Sequence, residues 1–121
     1  PRWGETIVAA AGPGTNFALA IIFAILMRLW ADPTFGDICF IGILVNLWLG
    51  ILNLIPVPPL DGSKVLSGIL PRALAYRYDQ WKTRMEHNPF LGFGIVLILV
   101  VLFGNTMGDL VNVLAHAIAG I

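Results

Sequence analysis

Two long stretches without a charged residue limit what this chain can fold into. They run from Ile7 to Met27 and from Ile38 to Leu60, and a shorter apolar stretch runs from Phe90 to Phe103. About 20 apolar residues of α-helix cross the hydrocarbon core of a bilayer. Lipid excludes any spanning backbone that does not satisfy its own hydrogen bonds. The sequence therefore predicts an all-α fold, a polytopic transmembrane helical bundle with spans at about 7–28, 38–60 and 90–104.

Composition and charge agree with a membrane protein and argue against a nucleic-acid-binding protein. Only 12% of the residues are charged, against roughly 25% in soluble domains. The formal net charge is zero, and the basic residues form no face that could bind phosphates, so we expect no nucleic-acid partner. The lipid bilayer is the expected partner. The length of 121 residues allows a single domain, 1–121.

The second span ends in a segment rich in proline. Pro56, Pro58 and Pro59 lack an amide hydrogen and push their neighbours toward extended backbone, so they predict a break in the helix. Irregular backbone at membrane depth is tolerated where protein or a water-filled cavity covers it. Asp61 follows directly. An acidic residue here is either a functional ligand or the N-cap of the next helix, and the residues alone leave both roles open.

The region after Gly62 predicts a helix lying at the membrane interface. Over about 72–86, apolar residues recur at helical spacing with charged residues on the other faces: Leu74, Tyr78, Trp81 and Met85. Five of the seven basic residues lie between the second and third apolar stretches: Lys64, Arg72, Arg77, Lys82 and Arg84. Because cytoplasmic loops carry an excess of lysine and arginine, we expect the 61–89 loop to be cytoplasmic.

Some helix boundaries are ambiguous. Gly12-Pro13-Gly14 predicts either the start of the regular helix or irregular backbone inside the membrane. Residues 28–37 predict an exposed turn. Gly104-Asn105-Thr106 interrupts the third apolar stretch, so the region is either one long helix or a span followed by a C-terminal helix at about 107–120.

Two motifs resemble those of a known family. Asn-x-x-Pro-x-x-Pro-Leu-Asp-Gly, at residues 53–62, resembles the signature segment of the site-2 protease family of intramembrane zinc metalloproteases. Ala11-Gly12-Pro13-Gly14-Thr15-Asn16 is similar to the same family's Ala-Gly-Pro-x-x-Asn segment, which opens the preceding transmembrane helix. The two motifs stand in the family's order.

The resemblance implies a Zn²⁺ site with specific residue roles. The metal would be bound by two histidines of a His-Glu-x-x-His helix and by Asp61. Asn53 would bind substrate backbone or stabilise the oxyanion. Asn16 would line the site, and Pro56 and Pro58 would contribute to a wall that accepts an extended substrate. The implied substrates are transmembrane helices of membrane proteins.

No His-Glu-x-x-His occurs in the chain, whose two histidines are His87 and His116. We therefore expect this chain to be the C-terminal membrane portion of the protease, inactive by itself. Its partner would be an N-terminal half with the other zinc ligands, and its location the bacterial inner membrane. Alternatives are a non-catalytic scaffold or assembly subunit of the same fold and, less favoured because no inverted repeat is visible, a transporter segment.

Polar residues elsewhere have simpler interpretations. Asn46, inside the second span, is expected to form a hydrogen bond between helices. Asp109, Asn112 and His116 fall within two helical turns of one another and raise the question of a second metal or proton site. An amphipathic tail at the interface explains the same three residues without a ligand and is the favoured interpretation.

Overall fold

The computed structural model describes residues 2–58 and 60–121, so that Pro59 of the predicted proline break lies outside the described residues. Within these ranges the chain forms five helices: α1 (Arg2–Leu29), α2 (Pro33–Asn53), α3 (Gly62–Ile69), α4 (Arg72–His87) and α5 (Pro89–Ala119). Of these, α1, α2 and α5 are long and apolar enough to cross a membrane. The predicted all-α membrane bundle is confirmed.

A short connection joins α1 to α2, and it is tighter than the turn predicted over residues 28–37. The Asp32 carboxylate accepts hydrogen bonds from the amides of Thr34, at 2.9 Å, and Phe35, at 3.5 Å. Pro33 occupies the first turn of α2, where the amide hydrogen it lacks would have no partner within the helix. This N-cap and proline start α2 earlier than hydropathy alone indicates.

Pro13 lies inside α1, which is helical from Arg2 to Leu29. Both expectations for this place were therefore wrong, because α1 neither begins at Gly12-Pro13-Gly14 nor becomes irregular there. A proline removes one backbone hydrogen bond, and membrane helices tolerate that loss where neighbouring groups compensate. The Thr15 hydroxyl donates to the Ala11 carbonyl at 2.7 Å, one turn back along this part of α1.

Small residues let the spanning helices approach closely. The buried core consists of side chains from α1, α2 and α5: Ala20, Ala24, Ile43, Leu47, Val111, Ala115 and Ala119. Phe17 and Phe23 of α1 lie over Gly50 and Gly42 of α2, where a Cβ would come within 2.8 Å of each ring. Glycine and alanine thus provide the close packing that association in lipid depends on.

The third apolar stretch and the C-terminal tail form one helix, α5, rather than a span and a separate helix. Gly104 costs helix stability in water, about 1 kcal/mol relative to alanine. In lipid a break would leave backbone groups without partners, which favours a continuous helix. Gly120 ends α5 with a left-handed φ of 77°. The Arg28 guanidinium of α1 donates to the Ile118 carbonyl there, at 2.6 Å.

The polar residues of α2 and α5 have local contacts. Asn46 is buried, and its amide donates to the Gly42 carbonyl at 2.8 Å, one turn back in the same helix. The expected bond between helices is thus replaced by one within α2. On α5, the His116 ring packs against Phe40 of α2 with centroids 5.2 Å apart.

Candidate metal and substrate site

The site begins where α2 ends, at Asn53. The following residues form successive tight turns instead of helix. The Val57 amide donates to the Ile55 carbonyl at 2.8 Å, and the Leu60 amide donates to the Val57 carbonyl at 2.9 Å. Proline blocks the regular helical pattern, and these short-range bonds satisfy backbone groups that the broken helix leaves free. The predicted span over 38–60 is therefore helical only as far as Asn53.

Two glycines hold α3 tightly against its neighbours. A Cβ at Gly62 would overlap the carbonyl oxygens of Leu54 and Ile55, which are backbone atoms at the end of α2. A Cβ at Gly68 would overlap the side chain of Thr6, which is buried on α1. Glycine at both ends of the contact therefore fixes α3 between the broken end of α2 and the first turns of α1.

Asp61 immediately precedes α3 but does not cap it. Its backbone is already helical, with φ −63° and ψ −25°, and its side chain makes no capping hydrogen bond. A capping residue normally has extended backbone, which lets the side-chain oxygen reach the amides of the first turn. Here the Ser63 hydroxyl donates to the Leu60 carbonyl at 2.9 Å instead. The capping role, one of the two left open by the sequence, is therefore not the one adopted.

The Asp61 carboxylate lies beside α1, at a pocket of about 510 Å³. A Cβ placed on Gly12 would lie 2.8 Å from Asp61 Oδ2. The pocket is lined by the first turns of α1 and by two residues at the start of α3: Gly4, Glu5, Val8, Ala9, Asp61 and Lys64. Charges of both signs thus line this pocket, and the half-buried Asp61 contributes one of them.

A side chain of α4 fixes the proline segment. The Tyr78 hydroxyl donates to the Pro56 carbonyl at 2.6 Å. Burial, with a further contribution from the negative charge of Asp79, raises the pKa of Tyr78 to about 12. Asp79 also accepts a hydrogen bond from the Ser67 hydroxyl of α3. The interfacial helix α4 is thereby tied both to the broken segment and to α3.

Of the predicted site residues, the structure brings only Asp61 to the pocket. Asn53, at the end of α2, and Asn16, one turn after Gly12 on the same face of α1, are half-buried but are not among the pocket-lining residues. Pro56 is exposed. Pro58 is buried and lines a smaller cleft of about 140 Å³ near the junction of α4 and α5.

Comparison with known proteins decides the family. Residues 28–101, more than half of the chain, match the model of Peptidase family M50. The chain belongs to peptidase family M50. The resemblance to the site-2 protease family is thereby confirmed. Of the two motifs, the matched residues include the one at 53–62. No solved structure matches the chain at a significant level.

Individual M50-like relatives align over most of the chain. Zinc metalloprotease MJ0392 of Methanocaldococcus jannaschii is 31% identical over an alignment of 116 positions, and this alignment covers 85% of this chain and 33% of that protein. The YwhC protein of Bacillus subtilis is 32% identical over an alignment of 111 positions, and this alignment covers 84% of this chain and 48% of YwhC. The chain thus spans less than half the length of these relatives.

The Asp61 carboxylate at the pocket fits the role of a metal ligand. A carboxylate oxygen is a zinc ligand, and that of Asp61 is not used for capping and lies over a glycine that leaves it space. Within residues 2–58 and 60–121, no three His, Cys, Asp or Glu side chains come together as a possible metal site. A zinc site built on Asp61 would therefore need ligands from beyond the described residues.

The M50 motifs did not identify every residue of the pocket or its surroundings. Glu5 and Lys64 line the pocket and Tyr78 holds the proline segment, yet no motif in the sequence assigns any of them to the site. Tyr78 showed only the helical spacing of an interfacial residue. Glu5 is an acidic residue just before a membrane span, and that position only weakly indicates a functional site.

Proposed function

We propose that this chain is the C-terminal membrane portion of an intramembrane zinc metalloprotease of the site-2 type, which cleaves transmembrane segments of membrane proteins. In this proposal Asp61 is one protein ligand of the zinc ion. The two histidines and the glutamate of a His-Glu-x-x-His helix belong to an N-terminal half of the same protein. The chain alone is inactive.

The observation that best supports this proposal is the position of the Asp61 carboxylate, which does not cap α3, in a chain of family M50. It stands at the end of a proline-broken membrane helix, faces a pocket and makes no capping bond to α3. An ionisable residue in such a place is costly, and function is the default explanation. The name of the relative MJ0392, a zinc metalloprotease, supports the same chemistry.

Five residues of the chain have tasks in the proposed reaction. Bound zinc would activate a water for attack on a peptide carbonyl. Asp61 would hold the metal, and Asn53 would bind substrate backbone or stabilise the oxyanion by donating a hydrogen bond. Because helical peptide bonds are shielded, the substrate must be partly unwound. Pro56 and Pro58 would line its extended strand, with Asn16 on the facing helix.

Charge gives the proposed orientation in the membrane. The five basic residues after Asp61 support a cytoplasmic location for residues 61–89 of a protein in the bacterial inner membrane. Asp61 and the broken end of α2 then lie near that side as well. Cleavage would occur close to the cytoplasmic end of the substrate helix.

The test compares Asp61→Asn with Asp37→Asn in the complete protein. Both changes remove one carboxylate with almost no change in shape, and Asp37 is an exposed residue near the other end of α2. Zinc content and cleavage of a reconstituted transmembrane substrate are measured for each. We expect Asp61→Asn to lose most of its zinc and at least 100-fold in cleavage, and Asp37→Asn to retain both.

The result also separates the alternative function. A complete protein that contains no zinc, or whose zinc and cleavage are unaffected by Asp61→Asn, would favour the scaffold interpretation over the protease. The proline wall has its own test, since substitution of Pro56 and Pro58 by alanine should lower substrate cleavage while zinc content stays unchanged. Unchanged cleavage in that variant would contradict a role in substrate binding.

A further inference from the structure

Gly12 of α1 and Asp61 approach each other across the helix contact that forms the pocket. A Cβ on Gly12 would lie 2.8 Å from Asp61 Oδ2 and 3.9 Å from the carboxylate carbon. The first distance is shorter than Cβ atoms in proteins tolerate. The space that a side chain would occupy on α1 is therefore occupied by the carboxylate of Asp61.

We propose that Gly12 is a positioning residue for Asp61, which it serves by having no side chain. This inference rests on the proposed function, in which Asp61 binds zinc. A ligand must hold its oxygen within about 0.5 Å of the productive position. Any Cβ at position 12 would push the carboxylate out of the place it occupies beside α1.

The backbone need not move to relieve this contact. The atom that a Cβ would meet is the far end of a short side chain, and Asp61 makes no capping bond that fixes it elsewhere. An added methyl group would therefore rotate the carboxylate away while α1 and α3 keep their places. Alanine also favours helix over glycine. The expected consequence is a folded protein with a displaced metal ligand.

Gly14 offers a matched control two residues along the same helix. It is exposed like Gly12, and a Cβ there would meet nothing within 4 Å. Gly14→Ala makes the same chemical change in the same helix without touching Asp61. It also falls at a variable position of the Ala-Gly-Pro-x-x-Asn motif, so the proposal gives it no part in the site.

The experiment measures zinc affinity and unfolding of the complete, purified protein. It compares the parent with Gly12→Ala, Gly14→Ala, Asp61→Asn and the double variant of Gly12→Ala and Asp61→Asn. Zinc is removed by a chelator and titrated back, and thermal unfolding is followed without metal. We expect Gly12→Ala to weaken zinc binding about 10- to 100-fold, as changes in groups that orient metal ligands do. Gly14→Ala should bind like the parent, and both alanine variants should unfold at or above the parent's midpoint, since alanine favours helix over glycine.

The double variant tests the route of the effect. If Gly12 acts through the carboxylate, Gly12→Ala should cause no further loss of zinc affinity once Asp61 is asparagine. Parental zinc affinity in Gly12→Ala, or a metal-free protein that no longer folds while Gly14→Ala does, would overturn the positioning role. Parental zinc affinity in Asp61→Asn would instead overturn the proposed function, so the two failures are distinguishable.

Discussion

At Gly62 the chain has no room for a side chain. The nearest atoms to an added Cβ are the carbonyl groups of Leu54 and Ile55, which belong to the backbone. Unlike the carboxylate beside Gly12, these atoms cannot rotate away. Glycine therefore has a structural role at position 62, in the 53–62 motif, whereas at position 12, in the Ala-Gly-Pro motif, its proposed role is to place the Asp61 carboxylate.

Gly62→Ala should therefore destabilise the fold. Overpacking of this kind costs about 1–3 kcal/mol, since α3 must separate from the end of α2. The measurement is the midpoint of chemical unfolding in detergent. Gly94→Ala in α5 is the control, because a Cβ there has nothing within 4 Å. Equal midpoints for the two variants would show that α3 does not contact α2 as closely as described.

Tyr78 should make stability depend on pH in the alkaline range. Its pKa is raised from 10.0 to about 12, first by burial and then by Asp79, so folding favours the neutral phenol. The contribution of Tyr78 is fully present below pH 10 and is lost as the pH rises toward 12. Tyr78→Phe should lack this loss and should also lose the bond to Pro56, worth about 0.5–1.5 kcal/mol.

Unfolding midpoints between pH 8 and about 12 test this expectation in the parent, Tyr78→Phe and Tyr76→Phe. Tyr76 is an exposed tyrosine of the same helix, so its removal controls for the loss of a phenol from α4. The prediction requires the Tyr76→Phe curve to fall alongside the parent. Should Tyr78→Phe fall in parallel with them, the raised pKa of Tyr78 would not be the cause of the alkaline loss of stability.

At the scale of helices, the sequence predicted which helices span the membrane more accurately than it predicted where each helix begins and ends. The uncharged stretches predicted three spanning helices, because lipid allows little else. Gly12-Pro13-Gly14 predicts a helix start or irregular backbone, and Gly104-Asn105-Thr106 leaves one helix or two open, yet Pro13 and Gly104 both lie inside continuous helices. Asp32 starts α2 earlier than hydropathy indicates, through hydrogen bonds to Thr34 and Phe35 that hydropathy does not register.

Arg28 should fix the end of α5 to the end of α1. Its guanidinium donates to the Ile118 carbonyl at 2.6 Å and to the Ala119 carbonyl at 3.4 Å. A cation beside the last carbonyls also compensates the helix dipole, a contribution of about 0.3–1 kcal/mol. We expect Arg28→Ala to speed amide hydrogen exchange in the last turn of α5 several-fold, and Arg28→Lys to give an intermediate rate. Unchanged exchange in Arg28→Ala would mean that α5 ends independently of α1.

At the scale of the whole molecule, the sequence indicated Asp61 as a candidate ligand but did not predict what surrounds it. Asp61 was identified by its position after a broken span and by the motif. Its contact with Gly12 joins residues far apart in the chain, and nothing in either local sequence encodes that distance. The same holds for Tyr78 and Pro56, which meet only because α4 folds back on the proline segment. Such contacts follow from helix packing and need the structure.

The arrangement of helices also makes the membrane orientation testable. The pocket, the proline segment and the basic residues of α3 and α4 lie on one side of the spans, and the Asp32 turn lies on the other. We expect a cysteine replacing Arg77 to be protected from a membrane-impermeant thiol reagent in intact bacterial cells and to react after lysis, because the proposed orientation, based on the five basic residues, puts that side in the cytoplasm. A cysteine replacing Ala31 should react in intact cells. Both are placed in a Cys39→Ser background, which removes the buried native thiol. The reverse pattern would put Asp61 on the outer side and would contradict proposed cleavage near the cytoplasm.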